Sequence, residues 1–527
     1  METTLTFLGQ ACVLICRGEV RLLCDPWFSG RAHLGGWIPF PDPTPDERAR
    51  LASLAETATH IYLSHAHEDH FDPIFLRRLT RKTLIVGAFR NHRFLGALRA
   101  LTPTHQLVVL HPGITWSPEA GFTLRIHTEQ PAFRTNSILE VRTPEGRVIN
   151  ANDCGLDTAL LRAIAERGPV SAFLYTLNFL ASGYPFPYLR ARDADLEDHL
   201  QKTRDQVVHS FATAMRTLRP ARALAFAGPV TFADRVNTHL NAHPEARDWR
   251  RMVKELQTEG TVEWPAPGSV LTLAGPNATR WEALNDWGTL LNGHAQPPPG
   301  PEDPWLDPRT ATDVPYAVSL EAFLHARSDL LRRLGERLRR TLVLSAVASV
   351  DALEEETFLW HDQLSLNPPK PRWRRLASTE RPRAPFLQII ATPRILHAFV
   401  RGETDLDGLL LSGRARFARK PDTFDGTLHN LLRFGDDAGT AQALIDWTAA
   451  RQRVQGQETL RRTVDGRERV ILRHCPHEGE DLENAPISAD GRLTCPRHKW
   501  VFCVESGRCL SGDPSASLLP NPSSNAR

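Results

Sequence analysis

Hydrophobic positions fall in short alternating runs over the first half of the chain, and these runs predict strands. Leu5 and Phe7, then Val13-Leu14-Ile15, then Val20 to Cys24 read as a β-meander over residues 4–25, with a turn at Arg17-Gly18-Glu19. The meander ends in Asp25-Pro26-Trp27, an acid at a strand end. A helix is expected from Asp46 to Thr57, a strand from His60 to Leu63, an amphipathic helix bearing Ile74, Phe75 and Leu79, and a strand from Thr83 to Gly87. Further strands are expected at Gln106 to Leu110, Thr123 to His127, Ser137 to Arg142 and Arg147 to Asn150. The last two form a hairpin that delivers Asn152-Asp153-Cys154-Gly155. A helix near Thr158–Arg167, a strand from Ala172 to Leu177, a long polar helix from Leu196 to Leu218 and a strand from Arg222 to Phe226 continue the alternation. Strands alternating with helices in this way indicate an α/β layered fold.

The texture changes from about Pro315. Leu320, Phe323, Leu324, Leu330, Leu331, Leu334 and Leu338 keep one helical face apolar, while Arg332, Arg333, Arg337, Arg339 and Arg340 fall largely on the other. A solvated face explains these arginines; binding a phosphate or an acidic partner is the alternative. A mixed stretch runs from Phe386 to Phe417, another helix is expected over 439–462, and the Ser/Pro/Asn tail from Asp513 is expected to be disordered.

At 527 residues the chain is too long for one core. Its 41% hydrophobic and 24% charged content is ordinary for a soluble protein, and a net charge of +2 gives no overall field to attract nucleic acid. The first apolar run, Ala11 to Cys16, is too short for a signal peptide or a membrane span. Eight cysteines do not make a disulfide scaffold in a chain this long, so a reducing cytoplasm is expected.

Chemistry enters at Cys475-Pro476-His477 and Cys495-Pro496-Arg497-His498. Two Cys-His pairs on separate tight loops suit a Rieske-type [2Fe–2S] cluster, in which two Cys hold one iron and two His the other. A Cys₂His₂ zinc knuckle is the alternative, but zinc fingers keep their two Cys together and their two His together. Trp500, Phe502 and Gly507 follow the second pair much as in Rieske sequences.

A second cluster lies directly after the His60–Leu63 strand: His65-Ala66-His67-Glu68-Asp69-His70. Three imidazoles and a carboxylate at a strand end can face one point and make a metal site; a solvated loop is the bland alternative. Asp153 is a further acid at a strand end, which alone reads as a turn residue. Around Ile126-His127-Thr128-Glu129, either His127 or Glu129 can serve as a ligand, with the acid Glu129 preferred.

H-x-H-x-D-H after a strand resembles the signature of the metallo-β-lactamase superfamily. Asp25-Pro26-Trp27, the 61–70 stretch, Asn152-Asp153-Cys154, Ser182 to Pro187, Phe226-Ala227-Gly228, Trp264 to Gly268 and Arg414 to Asp422 are similar to the CMP-N-acetylneuraminate hydroxylase family. The resemblance spans roughly residues 20–435, and that family also carries a Rieske domain, placed first rather than last. It implies an αββα sandwich over 1–275, to which the residue pattern adds a mainly helical extension over 276–455, a small all-β Rieske domain over 456–512 and a disordered tail over 513–527. It further implies a monooxygenase whose cluster, on Cys475, His477, Cys495 and His498, feeds one or two non-haem irons on His65, His67, Asp69, His70, Asp153 and Glu129. Asp69 is a ligand or a proton donor. One departure is that the strand where many superfamily hydrolases supply a late His ends here in Ala227-Gly228.

The expected partners are O₂, an external electron donor (a ferredoxin or cytochrome b5-type carrier with its reductase) and a small polar metabolite, a nucleotide sugar among the candidates. Neither nucleic acid nor membrane is expected, and a homo-oligomer is compatible with the sequence. Two rivals stand beside this reading: a metal-dependent hydrolase regulated by its Rieske domain, and an electron-transfer or redox-sensing protein.

Overall fold

The computed structural model describes residues 1–520 other than 41, 89–91, 102, 129–135, 157, 179–185, 189–192, 229, 243–248, 284–304, 306–314, 335–337, 339, 356, 367–371, 421–424, 435–436, 438, 444, 446–457, 465, 477–481, 496–499 and 512–516. Contacts divide the chain into two compact units: Met1–Thr310 with Gly408–Arg414, and Ala311–Asp407 with Ala415–Arg527.

The first unit is built on two sheets. One has eight strands in the order Ala278–Glu282, Val270–Gly275, Thr3–Gly9, Cys12–Arg17, Val20–Cys24, His60–Leu63, Thr83–Gly87 and Gln106–Leu110. The other has seven, in the order Val262–Glu263, Arg222–Phe226, Ala172–Thr176, Gly146–Asn152, Ile138–Thr143, Phe122–His127 and Thr115–Glu119. Each sheet is antiparallel in one part and parallel in the other, the parallel steps in the second running from Gly146–Asn152 through Ala172–Thr176 to Arg222–Phe226.

The period-two alternation of the strands sorts their side chains into layers. In the first sheet Leu5, Phe7, Val13, Ile15, Tyr62 and Ile85 enter a core shared with Val148, Leu174, Leu224 and Phe226 of the second. Their neighbours Leu14, Ile61, Leu63, Leu84 and Val86 face outward onto the helices Pro45–Glu56, Pro73–Arg78 and His92–Arg99. On the far side Ile149, Phe173 and Tyr175 pack on the helices Thr158–Ala165, Asp193–Leu218 and Trp249–Leu256. This is the expected αββα sandwich. Tyr62 is fully buried in the central layer, and its hydroxyl is satisfied by the backbone and side chain of Ser137 on the opposite sheet.

The second unit corrects one expectation. The region read as mainly helical, 276–455, first gives the strand Ala278–Glu282 to the eight-stranded sheet, and beyond the helices Tyr316–Ala326 and Ser328–Leu334 it builds a five-stranded mixed sheet. Its order is Arg372–Leu376, Trp360–Ser365, Thr341–Ala346, Phe386–Ala391 and Ala415–Lys420. Fully buried runs such as Leu342-Val343-Leu344 lack the alternation that marks a half-exposed strand, so periodicity could not separate them from buried helix.

Toward the C-terminus, Thr459–Val464 pairs with Arg467–Leu472, and Arg492–Thr494 with Val501–Cys503, around a small core of its own. Thr459 onward is therefore strand, not the end of a helix over 439–462. The tail is corrected too: Leu518 is fully buried in this core, and its backbone bonds Leu472 and Gly507. The Leu518-Leu519 pair, set among Ser and Pro, gave no periodic pattern to reveal that. Among the described residues no helix is long and apolar enough to cross a membrane.

Candidate metal centre

The site is assembled at one end of the sandwich from three strand ends. Val20–Cys24 delivers Asp25, His60–Leu63 delivers Ser64 to His70, and Gly146–Asn152 delivers Asp153. Asp25 is the buried hub. Its Oδ1 accepts from the Ser64 backbone N–H at 2.7 Å, and its Oδ2 accepts from the Ser64 hydroxyl at 2.7 Å and pairs with His70 Nδ1 at 3.0 Å.

These bonds fix the tautomers. The one hydroxyl hydrogen of Ser64 goes to Asp25, so the contact of 2.9 Å between Ser64 Oγ and His65 Nδ1 requires the ring to donate. His65 Nε2 is then a bare lone pair. His70 gives its Nδ1–H to Asp25, which leaves its Nε2 facing the site. Both Nε2 atoms face Asp153 Oδ2, at 3.7 Å from His65 and 3.6 Å from His70. The ligand atoms of His65, His70 and Asp153 all lie within 4.8 Å of one another.

Asp153 is presented by a turn in which its own N–H donates to Asn152 Oδ1 at 2.7 Å. Asn152 adopts a φ of +40° and is anchored by its Nδ2 to Ser137 O. His67 lies edge-on to His65, ring centroids 4.4 Å apart, and the grouping of ligand atoms does not include it. Asp69 sits beside His70 Nε2 at 3.4 Å, and its Oδ1 is held at 3.0 Å by the buried ring of His33.

Electrostatics follow the geometry. Burial, reinforced by His70 and His67, pushes His65 well below the usual imidazole value, so it stays neutral. Burial acts the same way on His70, but the Asp153, Asp69 and Asp25 carboxylates outweigh it and hold that ring well above. Burial would raise Asp69, yet His70 and His33 hold it well below the usual carboxylate range. Burial pushes Asp153 up.

In the second unit Cys475 and Cys495 are both buried in the small C-terminal core. Cys495 follows the Arg492–Thr494 strand, and its N–H donates to Trp500 O at 2.8 Å. His477 and His498 lie outside the described residues.

Residues 4–139 match the β-lactamase superfamily domain, and residues 443–522 match the Rieske [2Fe–2S] domain. The chain joins a β-lactamase-fold domain to a C-terminal Rieske [2Fe–2S] domain. It is 24% identical over 341 residues to the cytidine monophosphate-N-acetylneuraminic acid hydroxylase of Danio rerio, covering 62% of this chain and 54% of that one. The chain thus spans about half the length of the hydroxylases it matches. A Rieske 2Fe–2S iron–sulfur protein of Mycobacterium tuberculosis is 25% identical over 538 residues, covering 96% of this chain and 97% of its own. Among solved structures, CmlA, a diiron β-hydroxylase from Streptomyces venezuelae, is 18% identical with a TM-score of 0.34, covering 52% of this chain and 54% of that one.

In the β-lactamase-fold domain the donors fit a cation. His65 Nε2 and Asp153 Oδ1 are buried with no hydrogen-bond partner, and a metal between them would satisfy both. In the Rieske domain, two buried thiols on loops of one small core fit the cysteine half of the cluster.

Of the two alternatives at the end of Phe122–His127, Glu129 lies outside the described residues. His127 is committed elsewhere: its Nε2 pairs with buried Glu140 at 2.8 Å. Burial would raise Glu140, but His127 and Arg167 hold it down to about 2.

Two residues of the site gave no chemical signal in the sequence. Asp25 was legible as an acid at a strand end within one of the stretches similar to the hydroxylase family, with no role attached, and His33 sits in a loop without a motif. Asp72 was also passed over. It caps the helix Pro73–Arg78 through Phe75 N–H, and its other oxygen accepts from Phe28 and Ser29 N–H at 2.9 and 2.7 Å, tying the Asp25 loop to the histidine loop. Next to that loop lies a cleft of about 670 Å³, partly open to solvent, with Trp27, Phe28, Phe40, Phe226, Trp264 and Pro267 in its walls. Among the described residues of its lining Arg48 is the one charged side chain, and it is paired with Asp42.

Proposed function

We propose that this chain is an O₂-dependent oxidoreductase, a monooxygenase in which the Rieske cluster supplies electrons to non-haem iron in the β-lactamase-fold domain. The observation that carries this reading is the pair of orphaned ligand atoms, His65 Nε2 and Asp153 Oδ1. Left unpaired, each buried polar group costs about 1–3 kcal/mol, so a resident cation explains why the fold keeps them. Imidazole and carboxylate donors with open positions suit non-haem iron, which when bound supplies O₂ binding and activation.

In this proposal His65, His70 and Asp153 hold the metal, with His67, Asp69 and Glu129 completing the donor set for one or two irons. Asp25 keeps the His70 proton on Nδ1, and Ser64 keeps that of His65 on Nδ1. Asp69, fixed by His33, stands where it can ligate the metal or hand on a proton. Cys475, His477, Cys495 and His498 hold the cluster. The partners are an external electron carrier with its reductase, O₂ and a small metabolite that is hydroxylated or N-oxygenated, in the cytoplasm. The relatives named as hydroxylases of a nucleotide sugar keep that class among the candidates. The cleft beside Trp27 would add apolar surface to substrate recognition, because Arg48 in its wall is already paired with Asp42.

Anaerobic purification followed by counting iron and zinc and measuring O₂ uptake with a reductase tests this. More than two irons per chain with O₂ uptake on adding substrate supports it. Zinc in the histidine site with ester- or amide-cleaving activity and no O₂ uptake overturns it. A Cys475→Ser variant should lose turnover, whereas a hydrolase would keep it.

A further inference from the structure

His33 and Leu34 occupy an unusual turn: both have positive φ, 49° and 57°, a conformation that neither side chain favours. The turn is held on one side by Glu68, which accepts from the Leu34 N–H at 3.3 Å, and on the other by a segment almost four hundred residues away in sequence. Arg414 is fully buried. Its Nε and Nη2 donate to the two oxygens of Asp234 at 2.7 and 2.9 Å, and its Nη1 donates to Leu34 O at 2.6 Å. The same segment, Gly408–Arg414, makes two further contacts with the turn. Trp37 Nε1 donates to Leu411 O at 2.6 Å, and Gly36 passes so close that an added Cβ would lie 1.8 Å from Ser412 O. Trp37 in turn packs edge-on against His33, centroids 4.3 Å apart.

We propose that Arg414 is a positioning residue for the metal centre: it locks the His33–Leu34 turn so that His33 Nε2 holds Asp69 Oδ1 beside His70. The inference rests on the reading of the His65–His70 loop as a metal site, and adds to it a determinant on a distant segment. The chemistry calls for arginine. Three donors in a rigid fork reach a carboxylate on one side and a carbonyl on the other, which a lysine ammonium cannot do at once. Asp234 orients the fork and neutralises its charge, so the guanidinium can be buried. It also gives a physical role to Arg414 within the Arg414–Asp422 stretch that the family resemblance singled out.

The test uses full-length protein with Co(II) as the probe, reading its electronic spectrum and affinity alongside thermal melting. Wild type, His65→Ala, Arg414→Lys, His33→Asn and the Arg414→Lys/His33→Asn double variant are compared. Arg414→Lys is expected to weaken Co(II) binding about 10-fold and to change its spectrum. His33→Asn should do the same, and the double variant should be no weaker than His33→Asn alone, because both act through one contact. Co(II) binding lost in His65→Ala but unchanged in spectrum and affinity by Arg414→Lys overturns the proposal while leaving the metal site standing, as do effects that add in the double variant. Binding indifferent to His65→Ala overturns the site and the proposal together. If Arg414→Lys does not fold, Trp37→Phe, which removes the bond to Leu411, must produce the same spectral change or the proposal falls.

Discussion

Replacing Asp25 by Asn keeps the shape of the hub and removes its charge. Asp25 accepts three hydrogen bonds, two from Ser64 at 2.7 Å and one from His70 Nδ1 at 3.0 Å. An amide can still accept from the Ser64 backbone through its oxygen, but its NH₂ then points at the Ser64 hydroxyl and at His70 Nδ1. The ring must become the acceptor, its proton moves to Nε2, and that is the atom that faces Asp153. Removing a partner that sets a ligand's tautomer costs about 10–100-fold in metal affinity, or roughly 1.4–2.7 kcal/mol. The fold should lose about 2 kcal/mol as well, since hydrogen bonds to charged groups are worth more than neutral ones. The assay is an anaerobic titration of Fe(II) or Co(II) against a chelator, with the EPR signal of the reduced Rieske cluster as an internal check on folding. Wild-type affinity in Asp25→Asn, with the Rieske signal intact, would refute the tautomer argument.

Metal binding should depend on pH in a defined direction. In metal-free protein the carboxylates hold His70 above its ordinary value, so its contribution to stability is complete below about pH 6.5 and is lost as pH rises through the raised value. A cation must displace that proton, so affinity rises with pH over this window, and calorimetry in buffers of different ionisation enthalpy should find a proton released. Glu140→Gln should lower stability at pH 7 by about 3 kcal/mol, because it strips the partner from His127, Arg167 and Arg147. The wild-type carboxyl, held down to about 2, loses its contribution as pH falls from the unfolded carboxylate range towards that value. The melting difference between the two should therefore close in acid. Leu518→Ala should destabilise the Rieske domain by about 2–5 kcal/mol, read as earlier loss of the cluster absorbance on heating, while the melting of the β-lactamase-fold domain stays put.

The sandwich was legible because its strands are amphipathic in a two-layer sense. Leu5 and Phe7 against Leu8, or Tyr62 against Ile61 and Leu63, alternate between two real interiors, and turn residues punctuate them. The histidine loop and the Cys-His pairs were legible because metal chemistry restricts residue types and spacing. The five-stranded sheet was not, since Leu342 to Leu344 are buried on both faces and carry no period. His33 and Arg414 were not legible either. Their roles arise from long-range contacts, and an isolated His or Arg has no local pattern to distinguish it from a surface residue. Asp153 falls between these cases: as a lone acid at a strand end it looks like a turn, and only the fold brings it to His65 and His70.

The central claim is that His65, His70 and Asp153 hold an iron separate from the cluster on Cys475 and Cys495. Mössbauer spectroscopy of iron-57-enriched, anaerobically reduced protein tests it most directly, with wild type compared to His65→Ala. Wild type should show a high-spin ferrous component beside the reduced cluster, and the variant a spectrum of the cluster alone. A wild-type spectrum containing only the cluster, or a ferrous component that survives His65→Ala, would contradict it.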